Sequence, residues 1–293
     1  MPIALITGAS TGIGLETARY FASQGYRVFA GMRKPEAVEG HPNLTPVKLD
    51  VDNDESVREC VAAVVKDASA IDVLVNNAGI ALAGAVEMVP LEKTRAMFET
   101  NFFGAVRMMQ AVLPSMRERR SGAVVNVTSV MGHVTLGCHG FYAATKFALA
   151  AVSESLAVEM RPFGVKVAII EPGVILTPIW GKAETVTPPG DPYQQTMGRL
   201  SRLFGAQLDG GTKADAVAHV IYDAVQEGGT KLRYAVGADA DAIVAGRDLM
   251  TAGEWAALFA EENDERFVSR AAKAFGVDLY NPPSLNARKQ FKS

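Results

Sequence analysis

Ile3-Ala-Leu-Ile-Thr7-Gly8-Ala-Ser-Thr-Gly12-Ile-Gly14 stands almost at the start of the chain, and its reading decides the fold. Ile3 to Thr7 runs without polar alternation, as in a strand covered on both faces. Glycines follow directly, and Ile13 to Gln24 then has helical periodicity that stops at Gly25. Strand, glycine turn and helix in that order make the first unit of a parallel α/β sheet. Glycine lets the turn approach a ligand closely, and amides at a helix N-terminus meet the charge of a phosphate.

The same grammar continues outward. Arg27 to Met32, Pro46 to Leu49, Val73 to Asn76, Ala123 to Thr128, Val165 to Ile170 and Leu232 to Val236 read as six more strands. Helices are predicted over Asp54 to Ala68, Leu91 to Arg120, Phe141 to Met160 and Lys213 to Gln226, with a bend or early end at Pro114. The expected fold is a doubly wound, mainly parallel seven-stranded α/β sheet of Rossmann type, one domain over residues 1–293. A variable substrate lid is expected at about 177–212, containing a loop from Thr185 to Pro192 with Pro188 and Pro189. A helical extension is expected at about 238–293. Its Trp255, Leu258 and Phe259 must cover the chain's own body or a neighbouring subunit.

Composition narrows the function classes. Of 293 residues 48% are hydrophobic and 21% charged, enough to bury a large core. The net charge of −3 comes from 29 basic and 32 acidic residues with no long single-sign run, which argues against nucleic acid as a partner. Cys60 and Cys138 fit neither a disulfide framework nor a zinc site, so no metal is expected and a reducing cytoplasm is. The N-terminal apolar run is too short for a secretory signal, and no membrane span is expected.

The glycines at 8, 12 and 14 depart from the general dinucleotide spacing. Further marks follow at strand ends: Asp50, then Asn76-Asn77-Ala78-Gly79, Ser129, and Pro172-Gly173 through Thr177; Asn101 lies in a helix, and Tyr142 precedes Lys146 by four residues. Together these resemble the short-chain dehydrogenase/reductase family, from about the first residue to Thr177. The stretch from Val130 to Gly173 is most similar to members acting on steroids, retinoids and related hydrophobic alcohols or ketones. The resemblance implies that Gly8, Ser10, Thr11, Gly12, Ile13 and Gly14 hold the phosphates of a nicotinamide dinucleotide. It implies also that Asp50 and Val51 flank the adenine and that Asn77, Ala78 and Gly79 line the cleft.

An acidic residue at the end of the second strand holds a ribose 2′-hydroxyl, whereas a nearby Arg accepts a 2′-phosphate. Here Arg33 and Lys34 follow Met32 with no acid, so NADP(H) is the expected cofactor, and the family's NADP-using branch has Arg at the position of Arg33.

Tyr142 and Lys146 share one face of a helix, and Ser129 stands at a strand's carboxyl end, where such sheets bind ligands. A free tyrosine ionises near pH 10. Lys146 and an oxidised nicotinamide are expected to draw Tyr142 toward working pH, while Ser129 bonds the substrate oxygen. In the family, Asn101 bends its helix and holds a water that links the lysine to solvent. Pro172, Gly173, Val174 and Thr177 are expected to position the nicotinamide end.

Met131, Val134, Leu136, Phe141, Ile179 and Trp180 suit the wall of a lipophilic pocket, with His133 and His139 as further lining. Tyr193, Met197, Leu200, Phe204 and Leu208 form a helical stripe that fits either core or lid. The reading is an NADP(H)-dependent oxidoreductase acting on a hydrophobic carbonyl or secondary alcohol, alternatively a non-catalytic NADP(H) sensor. A homodimer or homotetramer is expected from the family, with Phe147, Ala150, Ala151 and Ser155 as a compatible face.

Overall fold

Every residue of the first strand is buried, and the sheet grows from it in both directions. The computed structural model describes residues 1–35, 41–187, 190, 192–208, 211–227, 231–276 and 278; Pro188, Pro189, residues 209–210 of the expected lid, and residues 277 and 279–293 of the expected extension lie outside them. In chain order the elements are β1 (Ile3–Thr7), α1 (Gly12–Ser23), β2 (Arg27–Met32), β3 (Leu44–Lys48), α2 (Asp54–Ala68), β4 (Val73–Asn76), β5 (Leu82–Gly84), α3 (Leu91–Phe98), α4 (Gly104–Arg119), β6 (Gly122–Val127), α5 (Gly140–Met160) and β7 (Val165–Pro172). Then come β8 (Ile175–Leu176), α6 (Ile179–Lys182), β9 (Glu184–Val186), α7 (Gln194–Leu208), β10 (Thr212–Lys213), α8 (Ala214–Gln226), β11 (Arg233–Val236), α9 (Ala238–Asp248), α10 (Ala252–Phe259) and α11 (Asp264–Phe275).

Seven strands pair in parallel in the order β11-β7-β6-β4-β1-β2-β3. The order reverses between β1 and β4, so the carboxyl ends of these strands open a crevice for a ligand. α1 and α8 cover one face through Ala18, Phe21, Val217 and Ile221. α2, α4 and α5 cover the other through Val57, Val64, Met108, Met116 and Leu149. Each large side chain so buried contributes roughly 1.5–3 kcal/mol relative to exposure.

The long helix expected from Leu91 to Arg120 is interrupted: α3 passes into α4 through a π-helical turn, Glu99–Phe103. Pro114 does not end α4 early, because its position and that of Gln110, whose carbonyl loses its donor, are both solvent-exposed. β3 begins two residues before the expected Pro46, since Leu44 is already in register with Val28. Ala150 is buried in the core, so only Phe147, Ala151 and Ser155 of the expected face are exposed.

The described part of the C-terminal extension packs on the chain's own body. Thr251 and Glu254 form a reciprocal cap that starts α10. Trp255 in that helix is buried and donates its indole N–H to the Thr135 carbonyl at 2.8 Å. α11 meets α7 where Arg199, itself buried, pairs with Asp264 at 2.8 Å and lies 4.4 Å from the centre of the Phe267 ring. Among the described residues no helix is long and apolar enough to cross a membrane.

Candidate active site

The turn between β1 and α1 is built to lie close to its neighbours. Gly8 and Gly12 take positive φ angles of 65° and 61°. A Cβ at Gly14 would come within 2.5 Å of both Asn77 Nδ2 and the Gly8 carbonyl oxygen, so only glycine fits there. Thr7 Oγ1 accepts from the amides of Asn77 and Ala78, each at 3.0 Å, and Asn77 Nδ2 returns a bond to the Thr7 carbonyl at 2.9 Å. These bonds lock the β1 turn to the β4 turn at the point where the strand order reverses.

One cleft of about 390 Å³ runs from this turn across the sheet's carboxyl edge. Gly8, Ser10, Thr11, Gly12, Ile13, Arg33, Asp50, Val51, Asn77, Ala78 and Gly79 line one end, and Ser129, Tyr142, Lys146, Pro172, Gly173, Val174 and Thr177 the other. Gly14 and Asn101 stand behind that surface rather than on it. Lys34 does not line the cleft, which leaves Arg33 alone of the expected pair. Among the described residues neither cation has an ion-pair partner, and both are exposed. Lys182 lines the cleft without having been singled out in the sequence.

Tyr142 and Lys146 stand one turn apart on α5, and Lys146 Nζ is 5.8 Å from the centre of the Tyr142 ring. Nζ also donates to the Val127 carbonyl at 3.1 Å. Burial pushes the Tyr142 phenol up to about 12, opposed by a hydrogen bond from the Ser129 hydroxyl. Burial also pushes Lys146 down to about 8. In this structure desolvation of the phenol outweighs the Ser129 hydrogen bond, so the phenol lies above its ordinary value. Near pH 7 the phenol is neutral and can donate a proton. Ser129 Oγ accepts from Met131 N at 3.1 Å and lies 3.4 Å from the Pro172 carbonyl, to which it can donate.

Asn101 lies in the π-helical turn, nearly sealed from solvent. Its Nδ2 donates to the Ile80 carbonyl at 3.0 Å and to Thr145 Oγ1 at 3.1 Å, and its Oδ1 accepts from Ile80 N at 2.8 Å. Gly79 passes between Asn101 and Lys146, where a Cβ would sit 3.3 Å from Asn101 Oδ1 and 3.6 Å from Lys146 Nζ.

The apolar wall contains Met131, Val134, Leu136, Ile179 and Trp180 as expected. Phe141 is not part of it and packs instead with Leu82, Val89 and Met97. The stripe on α7 divides: Phe204 faces the cleft together with Leu203 and Gln207, whereas Tyr193, Met197 and Leu200 pack behind, and Leu208 is on neither surface. His139 lines the cleft, its ring 5.3 Å from Phe204, and burial pushes its pKa down to about 4. His133 does not; it pairs with Asp248 of α9 at 2.8 Å. Asp239 and Ile243 of α9 also line the cleft, and nothing local in the sequence marks them.

Comparison with known proteins bears on the same residues. The pattern of the short chain dehydrogenases matches residues 2–187. A 3-ketodihydrosphingosine reductase of Bacteroides thetaiotaomicron is 43% identical over 58% of this chain and 63% of its own. Human retinol dehydrogenase 8 is 43% identical over 61% of this chain and 60% of its own. The chain thus spans about three fifths of the length of these curated relatives. A short-chain dehydrogenase from Streptomyces avermitilis superposes with a TM-score of 0.78 at 33% identity, over 92% of this chain and 98% of that one. A short chain dehydrogenase from Burkholderia cenocepacia in complex with NADP gives 0.72 at 27% identity, over 89% and 98%. The matched span takes in the glycine turn, the Asn77 turn, Ser129, Tyr142 and Lys146, and on that span the chain belongs to the short-chain dehydrogenase family.

Proposed function

We propose that the protein is an NADP(H)-dependent oxidoreductase moving a hydride between nicotinamide and a hydrophobic carbonyl compound or secondary alcohol, with Tyr142 as the proton carrier. The observation that carries this reading is the meeting of Ser129, Tyr142 and Lys146 at one end of a cleft whose other end holds the glycine turn and Arg33.

The residues fit the cofactor. A Cβ at Gly8 would lie 2.8 Å from Ala78 Cα and one at Gly12 would lie 3.2 Å from Thr177 Cβ, so the cradle is backbone in character, as a pyrophosphate requires. Arg33 is exposed at the end of β2, where its guanidinium can pair with a 2′-phosphate. The NADP complex of the Burkholderia relative supports the same choice. When bound, the nicotinamide supplies or accepts the hydride, held by Pro172, Gly173, Val174 and Thr177.

In reduction Ser129 orients the carbonyl oxygen and Tyr142, neutral and half-buried, gives it a proton. Lys146 replenishes the proton, with Asn101 holding the local backbone that leads outward to solvent. In oxidation the same groups run in reverse. Leu203 and Phe204 of α7 act as a lid, and the apolar wall favours lipophilic substrates, in keeping with the names of the two relatives. The exposed Phe147, Ala151 and Ser155 on α5 suit pairing of copies in a cytoplasmic homodimer or homotetramer.

NADPH oxidation against long-chain ketones and retinoid aldehydes tests this. Turnover with NADPH that vanishes in Tyr142→Phe, while NADPH still binds, is the expected result. A Tyr142→Phe variant that retains wild-type turnover removes the mechanism.

A further inference from the structure

Beyond the 2–187 span of the family pattern, α9 sends a carboxylate back under the sheet's edge. Asp239, on the first turn of α9, is nearly sealed from solvent and lines the cleft. Its Oδ2 accepts from the Val174 amide at 2.7 Å, across sixty-five positions of sequence. Glycines on both sides make room for it. A Cβ at Gly173 would lie 2.3 Å from Oδ2, and one at Gly237 would lie 2.6 Å from Oδ1. Gly173 is further tied to β11 through its amide, which donates to the Val236 carbonyl at 2.9 Å. The preceding carbonyl, that of Pro172, lies 3.4 Å from Ser129 Oγ.

We propose that Asp239 is a positioning residue for the hydride-transfer end of the cleft, fixing the Pro172–Val174 backbone and, through the Pro172 carbonyl, the orientation of Ser129. This rests on the function proposed above. A buried amide without an acceptor costs free energy, so the Val174 N–H holds the carboxylate and is held by it. The acid at the N-terminal turn of α9 is favoured also by that helix's dipole. Small displacements of a reacting group lower the rate steeply while leaving distant binding contacts intact. The phosphate turn and Arg33 are such distant contacts, so Asp239 acts on turnover more than on cofactor affinity.

Asp239→Ala and Asp239→Asn, prepared in the full chain, are compared with wild type and with Tyr142→Phe. Asp239→Ala is expected to lower kcat with a retinoid aldehyde by about tenfold to a hundredfold. Its NADPH affinity, titrated by nicotinamide fluorescence, changes by less than about threefold. Asp239→Asn, whose amide oxygen can still accept from Val174 N, recovers most of the loss, which a purely structural defect would not. Amide exchange at Val174 in the cofactor-free protein accelerates in Asp239→Ala and serves as a readout independent of any substrate. Unchanged exchange at Val174, or an undiminished kcat in Asp239→Ala, overturns the inference alone. Wild type that fails to bind NADPH overturns the proposed function and this inference together. Should Asp239→Ala not fold, Asp239→Asn decides: activity as low as Tyr142→Phe in a folded protein contradicts the assigned acceptor role.

Discussion

Lys146 and Tyr142, one turn apart on α5, are moved in opposite directions by the same burial: the amine is pushed down to about 8 and the phenol up to about 12. Both shifts favour the uncharged form, as desolvation must. Near neutrality the pair therefore consists of a neutral acid beside a cation, the state required to protonate a carbonyl oxygen. Raising the pH through about 8 discharges Lys146 before Tyr142 can ionise.

Carbonyl reduction should accordingly fall as pH rises through about 8, and Lys146→Met should remove that limb along with most activity. A pH–rate profile at saturating NADPH checks this. A wild-type profile flat from 7 to 10 would detach Lys146 from turnover.

The same shift has a consequence for stability. The folded value of about 8 lies below the ordinary lysine value of 10.5, so between the two the unfolded chain holds the extra proton and stability rises with pH. Burying the ammonium thus costs stability below about pH 8, roughly 3 kcal/mol at most, and nothing above about 10.5. Lys146→Met should have a higher Tm than wild type at pH 7, with the gap closing by pH 10.5. A lower Tm at pH 7 contradicts it.

Arg33 lines the cleft and Lys34 does not, which separates two adjacent cations. Arg33→Ala should weaken NADPH binding by at least about tenfold and leave NADH almost unchanged, whereas Lys34→Ala should cost less than about twofold. Titration of both cofactors by fluorescence measures the difference. Equal losses for NADPH and NADH would show that Arg33 does not read the 2′-phosphate.

Trp255→Phe keeps an aromatic ring but deletes the donor to the Thr135 carbonyl. A loss of about 1–2 kcal/mol in stability is expected, together with a raised KM for bulky ketones as the loop carrying Leu136 loosens. Thermal unfolding and KM are both needed. A stability loss with KM unmoved would confine Trp255 to packing.

The sheet and the cofactor end were legible because their signals are local. Gly8, Gly12 and Gly14 are set by the close approach of their own turn, and the inner strands β1, β2, β4, β6 and β7 declare their burial by mostly apolar runs. Seven strands and the main helices therefore lie close to where the sequence places them. Of the two breaks expected in the Leu91 to Arg120 helix, the one at Asn101 is present, its side chain bonding the Ile80 backbone, whereas Pro114 sits on the exposed face and breaks nothing. The pocket was only half legible. His133 and Phe141 have the right composition for a wall, yet one is captured by Asp248 and the other by Leu82 and Met97. Asp239 carries no sequence signal, since its partner Val174 becomes a neighbour only when β11 docks beside β7.

That docking also fixes an order of assembly during synthesis. β11 is the outermost strand beside β7, and the groups that finish the substrate end, Asp239, Ile243 and Trp255, all follow it in the chain. A ribosome making this protein releases the glycine turn, Arg33, Ser129 and Tyr142, and with them most of the apolar wall, before Asp239, Ile243 and Trp255. What α9 and α10 add last is therefore not the wall itself but two anchors, on the backbones of Val174 and Thr135, that hold parts already made.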